Sequence, residues 1–81
     1  MDESIDRLRS HFGLTLAEAR LVLHLATGET LRSAALKLGT TYETARTSLK
    51  KIFRKTGTCR QAELVLAILT ALPECIEAVS S

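Results

Sequence analysis

The residues able to do chemistry in this chain are concentrated in its middle. Between positions 31 and 60 lie Arg32, Lys37, Arg46, Lys50, Lys51, Arg54, Lys55 and Arg60 against one acid, Glu43, a net charge of +7. Elsewhere Arg7, Arg9 and Arg20 face eight acids, a net −5, so the overall +2 hides a divided molecule. Ammonium and guanidinium groups are donors only, and a cluster of them between acidic ends has the electrostatic form of a surface that meets a polyanion. The competing reading is a solvated basic helix with no partner.

The other candidate groups do not assemble into a reaction centre. His11, His24, Cys59 and Cys75 lack the paired spacing of a zinc site. There is no glycine-rich phosphate loop, and 81 residues, about half of a typical ~150-residue domain, leave no second lobe to wall a cleft. The expectation is a protein that is not an enzyme and has no metal and no cofactor. Cys59 beside Arg60 has the setting of a low-pKa thiol, yet reads more simply as an ordinary cysteine. Two cysteines cannot build the disulfide framework of a small secreted domain, and the charged first fifteen residues do not form a signal peptide, so a cytoplasmic location is expected. The longest uncharged stretch, Leu64 to Pro73, is about half of the ~20 residues a membrane span needs.

The elements that must position the basic residues are helices. Leu and Ala far outnumber Val and Ile, and the chain holds one Pro and four Gly. Ile5, Leu8 and Phe12 mark a short leading helix ended by Gly13. Thr15 with Glu18 forms a capping box for a helix over Leu16–Thr27 that buries Leu21, Val22, Leu25 and Ala26. Thr30 caps a two-turn helix carrying Leu31, Ala34, Ala35 and Leu38, which Gly39 stops. Either Thr40 with Glu43 or Thr41 alone starts the next helix, Tyr42–Thr56, with Ala45, Leu49, Ile52 and Phe53 inward. Thr58 with Gln61 offers a box for a last helix, Arg60–Leu72, ended by Pro73.

Two helices joined by a short glycine turn, the second one basic outside, have the sequence form of a helix-turn-helix. Ala35 and Ala45 are small enough for two steeply crossed helices to touch, and Gly39 permits the turn between them. The second helix would enter the major groove of double-stranded DNA, where Arg46 and Lys50 can donate to guanine and Thr47 can meet a thymine or another base. Thr30, Arg32, Thr41, Thr44, Lys51, Arg54 and Arg60, at helix starts and flanks, would grip phosphates. Tyr42 reads equally as a phosphate contact or a core aromatic, and Glu43 as a cap rather than a cytosine reader. The last helix is apolar almost all round; Val65, Leu66 and Leu69 are assigned to one face, and Leu64, Ala67, Ile68 and Ala71 to a second face that would pair two copies.

Over Leu14 to about Leu69 the sequence resembles the C-terminal DNA-binding domain of LuxR/GerE-type bacterial transcriptional regulators. The matching residues are Leu14-Thr15, Glu18, Leu25-Ala26-x-Gly28, Ala35-x-x-Leu38, Thr44-Ala45-Arg46-Thr47-x-Leu49-Lys50, Ile52-Phe53-Arg54-Lys55-x-Gly57 and Ala62-Glu63-x-Val65. The resemblance implies a four-helix bundle whose third helix reads DNA through Arg46, Thr47 and Lys50 and whose fourth helix pairs two subunits. The expected organisation is therefore an all-α chain: a lead-in or short helix over 1–13, a helix-turn-helix domain over 14–72 and a tail over 73–81. Expected partners are double-stranded DNA, a second copy on DNA and RNA polymerase, with no membrane. The alternative is a helical protein-interaction module that uses the apolar last helix, its basic face incidental.

Overall fold

The computed structural model describes residues 2–71, with side chains from residue 5 onward. In order along the chain these are α1 (Asp2–Phe12), α2 (Leu16–Ala26), α3 (Leu31–Lys37), α4 (Tyr42–Thr56) and α5 (Gln61–Ala71), with no strand among the described residues. The expected all-α class is observed, with four helices after Leu14 and one before it. The end of the last expected helix at Leu72, Pro73, Cys75 and the 73–81 tail lie outside the described residues.

Threonines set most of the helix starts. Thr15 Oγ1 accepts from the Glu18 amide at 3.2 Å while Glu18 Oε1 accepts from the Thr15 amide at 2.8 Å, so the expected box forms. Thr30 accepts from the Ser33 amide and Thr41 from the Thr44 amide, both at 3.1 Å. Of the two starts open to α4 the chain uses Thr41, which relieves Glu43 of the capping role expected for it. The box expected from Thr58 does not form either: its hydroxyl pairs with Thr56 at 2.9 Å, and Glu63 Oε1 accepts from the Cys59 amide at 3.0 Å. The Thr58 amide is also taken, by the Phe53 carbonyl at 3.0 Å, so neither half of the box is free to form.

The turn between α3 and α4 depends on Gly39. Its φ of 71° lies in the left-handed region, where a side chain is strained, and it lets the Thr40 amide return to the Ala35 carbonyl at 3.0 Å. α3 and α4 pack closely on each other, with Ala34, Ala35 and Ala45 buried where they meet the core. α2 runs through the centre and touches each of the other helices. It contributes Ala19, Leu21, Val22, Leu25 and Ala26 to one core that also takes Leu8, Leu14, Leu49 and Ile52. The leading helix is longer than the Ile5–Phe12 expected, and Leu8 is fully buried, so it belongs to that core.

Burial resolves one open alternative, at Tyr42, and corrects one expectation, at α5. Tyr42 is 37% exposed and stands outside the core, with the Arg32 guanidinium 4.4 Å above its ring. The faces of α5 are reversed: Leu64 and Ile68 are both 0% exposed inside this domain's own core, and Ala67 and Ala71 are half-buried, so they do not form a free pairing surface. The outward face carries Ala62 and Leu66, and Val65 and Leu69 are half-buried at its edge, packed against the core. A helix apolar all round has no periodicity that selects its inner side; the packing against α2 selects it. Ile68→Lys should therefore unfold the domain, because an unpaired ammonium in the core costs at least about 3 kcal/mol. Circular dichroism checks this: a native-like cooperative melt in that variant would contradict the assigned burial.

Candidate nucleic-acid interface

α4 has 15 residues, about 22 Å at the usual rise, and its two sides differ chemically. Ala45, Leu49 and Ile52 are buried, while Arg46, Thr47 and Lys50, which lie between them in sequence, are exposed. The three residues expected to read bases therefore share one open face, Arg46 and Thr47 in the N-terminal half of the helix and Lys50 just past its middle. Thr47 is narrower in function than expected: its hydroxyl donates to the Glu43 carbonyl at 3.1 Å, so it can offer a ligand only a methyl group and an acceptor. Arg54 lies on the same outward side, about 12 Å beyond Arg46 along the axis, and Lys51 is exposed on its flank.

The residues expected to hold phosphates are only partly gathered here. Tyr42 and Thr44 sit in the first turn of α4, and Arg32 reaches that turn from α3 through its stack on Tyr42. Thr41 has spent its hydroxyl: it accepts from the Thr44 amide and donates to Thr44 Oγ1 at 2.9 Å, which makes it a cap and leaves Thr44 with a proton to donate. Thr30 accepts at the start of α3 and keeps its own proton available. Arg60 is exposed but lies in the connection past Gly57, outside α4.

Two of the eight basic residues in the middle segment belong to the scaffold. Lys55 Nζ meets Glu18 Oε1 at 2.6 Å and ties the last turn of α4 to the first turn of α2. Burial raises the Glu18 pKa, and the bonds from Lys55 and the Thr15 amide outweigh it, so the carboxyl ends below its usual value. Lys37 and His24 converge on the two oxygens of Glu29, and Ser33 Oγ donates to it at 3.3 Å, which ties α2 to α3 across the loop between them. Hydrogen bonds from Lys37 and then His24 pull the Glu29 pKa down to about 2. Arg32, Arg46, Lys50, Lys51, Arg54 and Arg60 have no carboxylate partner among the described residues.

One site residue lies outside the expected set, and one has a different role from the expected one. Arg20, outside the basic segment, is exposed on α2 and borders a cleft shared with Thr40, Thr44 and Ser48, which adds a cation to the flank of α4. Its signal was the position one turn before His24 on a helix that packs against α4, which is legible only once that packing is known. Glu43, expected as a cap, is instead exposed in the first turn of α4 and makes no ion pair among the described residues. Comparison with family models, with curated proteins and with solved structures finds no match for this chain. Among the described residues, no cluster of ligating side chains could hold a metal and no helix is long and apolar enough to cross a membrane.

Because the folded Glu29 carboxyl sits below its usual 4.5, its ionised form contributes stability above that pH, and the contribution is lost as the pH falls through about 2. Glu29→Gln should thus melt below the wild type at pH 7, and the difference should close between about 4.5 and about 2. A difference in melting temperature that stays constant down to pH 2 would show that the carboxylate is not the tie.

Proposed function

We propose that this chain binds double-stranded DNA sequence-specifically, as a transcriptional regulator of the LuxR/GerE type, with α4 in the major groove. The observation that carries this reading is the outward face of α4. Arg46, Thr47 and Lys50 are exposed side by side on a capped helix, and no described carboxylate neutralises the cations. The groove is about 12 Å wide and takes one helix with its N-terminal half against the base edges. Arg46 and Lys50 then donate to guanine, and Thr47 offers its methyl group or its acceptor. Arg54, Lys51, Arg32, Thr44 and Arg20 flank that face, where they would hold phosphates and set register without reading sequence. A cytoplasmic location and RNA polymerase as a further partner go with this reading.

One short helix reads few base pairs, so two copies on a two-fold symmetric site give usable specificity. The surface for that pairing is the outward face of α5, where Leu66 is 66% exposed and Ala62, Val65 and Leu69 line an open groove beside Leu25 and Ala26 of α2. A surface this small pairs weakly in solution and more strongly when neighbouring half-sites raise the effective concentration. The same exposed leucine favours the second reading, a helical protein-interaction module with an incidental basic face. Salt-dependent duplex binding separates them, since counterion release accompanies phosphate contact and not apolar docking.

Arg46→Ala should lose about 1–3 kcal/mol of affinity for a selected site while binding to random duplex changes little. Arg54→Ala should weaken both alike and reduce the salt slope by about 1. A mobility-shift titration over a range of salt reads both, and equal losses on selected and random DNA in the two variants would remove Arg46 from the base-reading set.

Leu66→Lys should stay folded within about 0.5 kcal/mol, as an exposed position allows, and lose cooperative binding to a duplex with two half-sites. Cooperativity that survives the substitution would place the pairing surface elsewhere.

A further inference from the structure

The anomaly of the basic face is Glu43. It is exposed in the first turn of α4, one turn before Thr47, and it makes no ion pair among the described residues, although Arg46 follows it by three positions. It does not cap its helix, because Thr41 does. Its backbone carbonyl holds the Thr47 hydroxyl in place, which leaves the carboxylate as the anionic acceptor on a face that is otherwise cationic. A carboxylate there faces a polyanion and is repelled unless something in the groove donates to it.

We infer that Glu43 is a specificity residue that reads cytosine, an inference that rests on the proposal that α4 enters the major groove. An ionised carboxylate accepts and cannot donate. Guanine presents N7 and O6 to the groove, and thymine presents O4, all of which repel it. Adenine pairs its amino donor with the N7 acceptor beside it, a pattern that suits an amide better than a carboxylate. Cytosine presents the N4 amino group alone, so among the four bases it is the one whose edge a carboxylate matches. Glu43 precedes Arg46 by about 4.5 Å along the helix, roughly one base-pair step of 3.4 Å. The two side chains therefore address neighbouring pairs, Arg46 a guanine and Glu43 a cytosine. The carboxylate acts chiefly by rejecting wrong sites, since its charge weakens every complex in which no amino group meets it.

The test is selection of duplexes from a randomised library by the whole chain, with Glu43→Gln and Glu43→Asp in parallel and helicity checked by circular dichroism. Wild type should enrich a cytosine at a fixed step from the guanine lost in Arg46→Ala. Glu43→Gln should keep that guanine, lose the cytosine preference by about tenfold in favour of adenine, and bind random duplex more tightly than wild type does. Glu43→Asp, with the charge kept and the reach shortened, should lose the cytosine preference without the gain on random duplex. A cytosine preference undiminished in Glu43→Gln overturns the assignment of Glu43 and leaves DNA reading by α4 standing. Wild type that binds no duplex at any salt concentration overturns DNA binding itself, and this inference with it.

Discussion

The geometry of the basic face depends on one buried carboxylate. Glu18 Oε1 accepts from the Thr15 amide and from Lys55 Nζ at once, so the oxygen that starts α2 also holds the far end of α4. A carboxylate 5% exposed would be costly if left alone, and removing Lys55 would leave its charge without a cationic partner. The arrangement works because both bonds favour the ionised form more than burial disfavours it. With the C-terminal turn of α4 fixed to α2 and its N-terminal turn fixed by α3, the rotation of α4 about its axis is set. That rotation keeps Ala45, Leu49 and Ile52 inside and leaves Arg46, Thr47 and Lys50 outside.

Glu29 is the corresponding tie on the other side of α2. Its two oxygens take Lys37 and His24, and its hydrogen bond from Ser33 adds a second point on α3. Charge thus has two separate uses in one small domain. Lys37 and Lys55 neutralise structural acids within the scaffold, whereas Arg32, Arg46, Lys50, Lys51, Arg54 and Arg60 remain open to an external anion. Four arginines in the open set suit planar, two-pronged contacts with an anion. The lysines in the scaffold act as point charges that need only reach an oxygen.

Size explains the treatment of the apolar surface. Five short helices around one core cannot cover every side of α5, and α1 packs mainly on α2. Leu66 and the groove beside it are what remains uncovered on α5 among the described residues.

The sequence by itself determined the helices and most of their ends, because capping and left-handed glycines act within four or five residues: the Thr15–Glu18 box, the Thr30 cap, the Gly39 turn and the limits Tyr42–Thr56 all follow from local hydrogen bonding. It also determined the outward set Arg46, Thr47 and Lys50, since a helix with one apolar stripe has a single possible inner side. Where a group had more than one local partner, local rules were not enough: Thr58 turned to Thr56 and Phe53 in place of Gln61, and Thr41 relieved Glu43. Only the tertiary structure decided which lysines were scaffold, because the acids that claim Lys37 and Lys55 lie eight and 37 residues away in the chain. It alone turned α5 so that Leu64 and Ile68 face inward and Leu66 outward, because a helix apolar on every side is oriented by what it packs against and by nothing in its own sequence.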